Sequence, residues 1–289
     1  RAAARGARVT GQVSARPTGL LMGLQSSVHP FSAHKTYQAI AHLPLDERVR
    51  RMRDPAVRAG ILGEVPEFSD PLIGFICAAF FKLFPLGDPP DYEPAAEESV
   101  AAIAEREGRT ATEVAYDLLL LRDGKELLYL PFLNYSNFDF APIREMLLHP
   151  HTVVSLGDGG AHCGLICDES LPPFLLTHWA RDRRRGERLP LEYVVQRQTR
   201  HTAALYGLDD RGLLAPGMKA DVNVIDYDAL ALGLPEMVYD LPARGRRLIQ
   251  KATGYRHTVK SGAVIFEDGE PTGALPGKLV RGPQPAPRG

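Results

Sequence analysis

Two hydrophobic rhythms divide this chain. Up to about residue 207, short apolar runs alternate with helical periodicity; beyond it, a two-residue alternation takes over. Residues 9–13 predict a strand that ends in the polar loop Ser14-Ala-Arg16-Pro17-Thr-Gly19. Residues 36–63 alternate short helical patterns with breaks at Pro44 and Pro55. A proline-rich, insertion-like stretch at about 64–94 contains the apolar run 72–86, which carries Lys82 and is too short to cross a bilayer comfortably, so it predicts a buried or lid-like helix. Helices follow at 95–107 and, from the capping box Thr110-x-x-Glu113, along Val114, Leu118 and Leu121 to a stop at Asp123-Gly124. Residues 127–133 predict a buried strand or its approach, 142–148 a short helix, and 153–156 a second buried strand. Two further helices are expected at 173–184 and 190–206, with Pro190 at a first helical position and Gly207 at the stop. Strand, helix and strand in this order imply right-handed crossovers and a parallel sheet.

After Gly207 the signals are those of a small β domain. Pro216-Gly217 suits the centre of a type II turn. Residues 220–226 alternate as a half-buried strand, and 255–259 with 263–267 form a hairpin around Ser261-Gly262, closed by Asp268-Gly269. The stretch 283–289 has the composition of a disordered tail.

The most informative segment is Val153-Val-Ser-Leu-Gly-Asp158-Gly159-Gly160-Ala-His162-Cys163. A β-branched run stops at an acid and two glycines, which let backbone or substrate approach closely. In a barrel of parallel strands, this is the rim where active-site groups collect. Asp158 could ligate a metal, take a proton from water or pass one to a leaving group. It could also simply cap the following segment. His162 could ligate, shuttle a proton, bind an oxyanion or orient the loop. Gly157–160 lacks the Lys-Ser/Thr of a phosphate-binding loop.

The chain has 289 residues and a net charge of −1, which gives no electrostatic case for nucleic acid or an anionic membrane as partner. Its three cysteines, Cys77, Cys163 and Cys167, form no closed disulfide framework and suit a reducing cytoplasm. Cys163 and Cys167 are a C-x3-C pair without a second pair, so core packing is the better reading than zinc. The chain opens on Arg1 rather than Met, with a strand entered in mid-fold and no signal peptide, so it is expected to be a fragment.

The order of motifs adds a resemblance. After Asp158 and two helices comes Thr199-Arg-His-Thr-Ala203-Ala-Leu-Tyr-Gly207-Leu, then Gly212-Leu-Leu-Ala-Pro216-Gly217-Met-Lys-Ala220-Asp221-Val-Asn-Val-Ile-Asp226. This resembles the C-terminal half of the amidohydrolase superfamily, and N-acyl-D-amino-acid deacylases within it. Leu279-Val280-Arg281-Gly282 resembles the family's C-terminal end.

The resemblance implies an α/β fold: the C-terminal part of a metal-dependent (β/α)8 TIM barrel plus part of a small β-sandwich. Residues 1–207 would hold barrel strands seven (9–13) and eight (153–156), residues 208–282 the β-sandwich, with Asp221 fixing the turn before its strand. It further implies one or two zinc ions, Asp158 as catalytic acid and metal ligand, and the other ligands upstream of Arg1. The lone His149-Pro-His151 lies before strand eight and is expected to be structural. Substrate contacts are expected from Ser14, Arg16, Gly159, Gly160 and His162, with Arg16 able to clamp a carboxylate unless it is only a loop residue. The family's Tyr-Pro-Tyr-like and His-Pro-Arg segments have no match here. The Arg181–Arg188 run is expected to be a solvated helix end, and His178 and Trp179 to pack. The implied activity is hydrolysis of a non-peptide C–N bond in a small N-acyl amino acid, with homo-oligomerisation left open. A cyclic-amide hydrolase and a non-enzymatic scaffold on the same fold stay open as alternatives.

Overall fold

The computed structural model describes residues 3–7, 9–155 and 160–287. It is a mixed α/β structure whose described strands form five separate sheets, none of them closed into a barrel. In the first half, strands β1 (Gly11–Ser14), β2 (Gly19–Met22), β3 (Phe84–Pro85), β4 (Leu128–Pro131) and β5 (Thr152–Ser155) form two of these sheets. β1 and β5 pair in parallel, with Gly11 opposite Thr152 and Ser14 opposite Ser155. β4 runs antiparallel between β2 and β3.

β2 arises where the sequence reads as loop. Pro17 and Gly19 dominate locally, but Leu21 buries in one core with Tyr129 and Met22 in a second with Leu128 and Leu130. Helix α1 (Lys35–Gln38) follows His34, whereas α2 (Leu45–Met52) and α3 (Pro55–Gly63) begin at Pro44 and Pro55 as expected, and Asp54 caps α3 by accepting from Ala56 N and Val57 N.

The apolar run at 72–86 is not one buried helix. It breaks into α4 (Pro71–Cys77), a 3-10 turn and β3, burying Ile76, Cys77, Leu83, Phe84 and Leu86 while Leu72, Phe75 and Phe81 face solvent. Helices α5 (Val100–Glu107) and α6 (Ala111–Leu119) follow. The capping box of α6 forms as expected: Thr110 Oγ1 accepts from Glu113 N at 3.2 Å, and Glu113 accepts from Thr110 N at 2.9 Å. α7 (Ala141–Leu148) leads into β5.

The helix expected at 173–184 is α8 (Leu171–Phe174) continued by a π-helical stretch, Leu175–Asp182. The expected 190–206 helix breaks at Thr199, whose ψ of −93° is not helical, into α9 (Leu191–Gln198) and α10 (Arg200–Leu205).

In the C-terminal part, β6 (Val222–Ile225) pairs with β11 (Tyr255–Lys260), β11 with β12 (Ala263–Glu267), and β12 with β13 (Glu270–Pro271), all antiparallel. Both residues of the Ser261-Gly262 turn have positive φ, as a two-residue hairpin with the native twist requires. Asp221 accepts from Ser261 N and Lys260 Nζ, each at 2.8 Å, and so ties the start of β6 to that turn. The strands β7 (Ala231–Leu232) and β10 (Ala252–Thr253) pair with each other, as do β8 (Glu236–Leu241) and β9 (Gly245–Ile249). The stretch read as a disordered tail runs back along the end of α10: Asp209 N donates to Gln284 O and Gln284 N to Gly207 O, each at 2.8 Å.

Gly254 lies where this part meets the Asp226–Leu230 turn. Its φ is +92°, and an added Cβ would stand 2.6 Å from Leu230 Cα and 2.9 Å from Asp226 O. Both obstacles are backbone and cannot rotate away. Gly254→Ala is expected to destabilise the protein by roughly 3 kcal/mol through φ strain and overpacking, read as a lower midpoint in chemical denaturation.

Candidate active site at the strand ends

Because β1 and β5 are parallel and in register, Ser14 and Ser155 end side by side, and the loops that leave them start from one edge. The Asp158 and Gly159 expectations lie outside the described residues, together with Leu156 and Gly157. The segments on either side of them are described, and they are heavily pinned.

After β1, Ser14 Oγ donates to Arg16 O at 2.7 Å, which commits that hydroxyl to a local turn. Ala15 O accepts from the indole of the fully buried Trp179 at 2.6 Å. Arg16 is only 1% exposed, so it is not a surface loop residue. Its Nη2 donates to Cys167 O at 2.6 Å and lies 3.5 Å from Asp168 Oδ1. Its guanidinium sits 3.8 Å above the Tyr92 ring and 5.5 Å from that of Phe174. Arg16 Nη1 and the neighbouring Tyr129 hydroxyl are buried without a hydrogen-bond partner among the described residues. Burial pushes the Asp168 carboxyl above its usual range, and the adjacent Arg16 charge pulls the other way.

The segment returning from the Asp158 loop is held from several sides. Leu165 N and Ile166 N donate to His162 O at 2.8 and 2.9 Å. Leu21 N takes Leu165 O, Ser27 N takes Gly164 O, and Leu248 N takes Cys163 O, at 2.7–3.0 Å. His162 therefore organises the turn through its carbonyl, at a positive φ of 49°, while the residue itself is exposed. Gly160, at φ +95°, has open space around it. Gly160, Cys163, Asp168 and Glu169 line a depression of about 650 Å³ against Leu248 and Gln250. The amide of Gln250 closes its base, accepting from Tyr92 Oη at 3.0 Å and donating to Gly233 O at 2.8 Å. Of the expected substrate contacts, the structure thus sets Arg16 against Cys167 and Asp168, places Gly160 on the depression, turns Ser14 to its own loop backbone and leaves the His162 residue in solvent.

Asp168, Tyr92 and Gln250 carry no sequence signal, since each meets Arg16 or the 160–169 segment only through long-range packing. The Arg181–Arg188 run departs from its expectation at one residue. Most of it is exposed as expected, but Arg183 is not: it is 3% exposed and grips Glu93 with Nε at 3.1 Å and Nη2 at 2.9 Å. Arg185 donates to Glu93 O at 2.8 Å and Arg181 to Leu230 O at 2.7 Å. His178 lies 2.8 Å from Glu93 Oε2 and stacks on Phe174, while Trp179 stacks on Phe140. His29, buried one loop away from Gly164, is held neutral over the ordinary range: burial, with Arg48 and His34 adding, pushes its imidazole down to about 3.

The described residues do not make a metal site. No three His, Cys, Asp or Glu side chains gather among them. His149 Nδ1 accepts from His151 N at 3.2 Å, and burial lifts the Cys167 thiol to about 11, leaving it protonated and a poor ligand. Nor is any helix among them long and apolar enough to cross a membrane.

An N-acyl-D-glutamate deacylase from Alcaligenes xylosoxydans xylosoxydans is 33% identical over 98 residues, 34% of this chain and 18% of that enzyme. A D-aminoacylase structure matches with 25% identity and a TM-score of 0.34, covering 61% of this chain and 33% of its own. A second, a D-aminoacylase with a binuclear metal centre, matches with 26% identity at the same TM-score, covering 63% and 34%. The chain therefore spans less than a fifth of the curated relative and about a third of these structures. The profile of the amidohydrolase family matches residues 4–266, nearly the whole length, and the chain belongs to that family.

Proposed function

We propose that this chain is the acid-bearing part of a hydrolase that cleaves a linear, non-peptide C–N bond, releasing a carboxylate and a D-amino acid from an N-acyl-D-amino acid. The observation that carries this reading is the parallel register of β1 and β5, which sets Ser14 and Ser155 at one edge, with Asp158 three positions further on. In this reading β1 and β5 are the last two strands of a (β/α)8 barrel. Asp158 takes a proton from the attacking water and delivers it to the departing amine nitrogen as the C–N bond breaks. Arg16 contributes a fixed positive charge beneath the rim, where Asp168 and Cys167 O hold one arm of its fork. The zinc expected of the family would be held by Asp158 and by ligands outside the described residues, and would polarise the amide carbonyl when bound.

A substrate panel on the whole protein tests the reading. N-acetyl-D-amino acids, N-acetyl-D-glutamate among them, are expected to turn over in preference to their L counterparts. Turnover confined to hydantoin or dihydroorotate would replace this reading with the cyclic-amide one, and no turnover of any amide would leave the scaffold reading.

A further inference from the structure

The surroundings of Arg16 are tied to the C-terminal part of the chain through one side chain. Gln250 lies between β9 and β10, at a corner bonded to Gly233 twice: Gly233 N donates to Lys251 O at 2.9 Å, and Gln250 Nε2 donates to Gly233 O at 2.8 Å. A carbonyl can only accept, so it fixes which end of the amide faces it. Gln250 Oε1 therefore points the other way, where it accepts from Tyr92 Oη at 3.0 Å and from Ser170 Oγ. Tyr92 and Ser170 are both buried, and neither hydroxyl has another partner among the described residues. Those two residues govern what surrounds Arg16. Tyr92 presents its ring face to the guanidinium at 3.8 Å and stands perpendicular to the rings of Tyr129 and Phe174. Ser170 stands between Asp168, which faces Arg16 Nη2, and α8, whose Phe174 ring lies 5.5 Å from the same guanidinium. The attraction between a cation and a ring depends on the cation lying over the ring face, so a tilted ring displaces the charge.

We propose that Gln250 is a positioning residue. Through the hydroxyls of Tyr92 and Ser170 it holds the Arg16–Asp168 pair in place beneath the rim, and so sets how tightly the depression binds substrate. The small β part of the chain thereby contributes to the site from a distance, although Gln250 itself moves no proton. The kinetic consequence rests on the hydrolytic reading; the positioning of Arg16 is read without turnover.

The test is made on the whole protein. Gln250→Met keeps the length of the side chain and removes its hydrogen bonds. It is expected to raise KM for an N-acetyl-D-amino acid about ten-fold while kcat stays within about two-fold, because the proton transfer at Asp158 is untouched. Tyr92→Phe/Ser170→Ala removes the same two bonds from the other side and should reproduce that rise. Adding Gln250→Met to it should have no further effect on KM, since the amide then has nothing to act through. That pair also carries the test should Gln250→Met fail to fold. The Arg16 Nε–H resonance reads the positioning directly: it lies in the ring current of Tyr92 and should shift in Gln250→Met. An unmoved Arg16 resonance, an unchanged KM, or KM effects that multiply in the combined variant overturns the proposal. Absence of amide turnover by the unmodified protein would overturn the hydrolytic reading instead, and the Arg16 resonance then decides the positioning alone.

Discussion

Glu93→Ala is expected to lower stability by about 3–5 kcal/mol, measured by urea denaturation. The Glu93 carboxylate is almost fully buried and accepts from Arg183 Nε and Nη2 and from Phe140 N, with His178 Nε2 2.8 Å away. Truncation leaves the buried Arg183 guanidinium with the Glu187 carbonyl as a partner but no carboxylate opposite its charge. The double variant Glu93→Leu/Arg183→Met is expected to be milder than Glu93→Ala, because a buried pair removed whole takes its desolvation cost with it. A double variant as damaged as the single one would show that packing, rather than the stranded charge, sets the loss.

The same site imposes a pH dependence. Burial pushes the Glu93 carboxyl upward, but the hydrogen bonds and charges of His178 and Arg183 outweigh it and hold it below the ordinary 4.5. A lowered folded-state value means that the unfolded chain binds the proton more readily. The contribution is complete above about 4.5 and is lost as pH falls through the folded value. Glu93→Gln should therefore flatten the acid limb of a stability–pH curve below about 4.5 and leave the slope above pH 6 unchanged.

Asp158→Asn in the whole protein is expected to lower kcat by about 10²–10⁴-fold while moving KM little. The amide keeps the shape of the carboxylate and so preserves the loop, but it cannot accept the proton of the attacking water or return it to the amine. A loss confined to KM would make Asp158 a substrate contact, and unchanged turnover would remove the acid from the mechanism altogether. Asp168→Asn is the informative partner experiment. It lies beside Arg16 rather than at the strand end, so it should lower stability and raise KM more than it lowers kcat.

What the sequence made legible was local. The Thr110 capping box, the Ser261-Gly262 hairpin and the break from helical to alternating periodicity each depend on residues a few positions apart, and each forms as expected. What it concealed was made by distant partners. β2 is a strand because Leu20 and Leu21 pair with Leu130 and Tyr129, despite Pro17 just before it and Gly19 at its start. The β8–β9 hairpin turns through Ala243 and Arg244 at positive φ, without the glycine or asparagine that marks such a turn. Arg183 looks solvated within an arginine-rich run because its partner, Glu93, sits in the proline-rich stretch ninety positions earlier. The candidate site divides the same way. Asp158 is conspicuous at a strand end, whereas Asp168, Tyr92 and Gln250 become neighbours of the rim only once the chain has folded.

The pairing of Gln284 with residues 207–209 has a consequence for biosynthesis. A ribosome making about 5–20 residues per second releases α9 and α10 seconds before Gln284, whose backbone completes their end. During that interval the Gly207 carbonyl and the Asp209 amide have only water to bond. A nascent chain stalled between Gly207 and Gln284 would thus present an unfinished helix end to proteases and chaperones. Arrested chains of graded length, probed by limited proteolysis, should lose cleavage around Gly207 abruptly once Gln284 clears the exit tunnel.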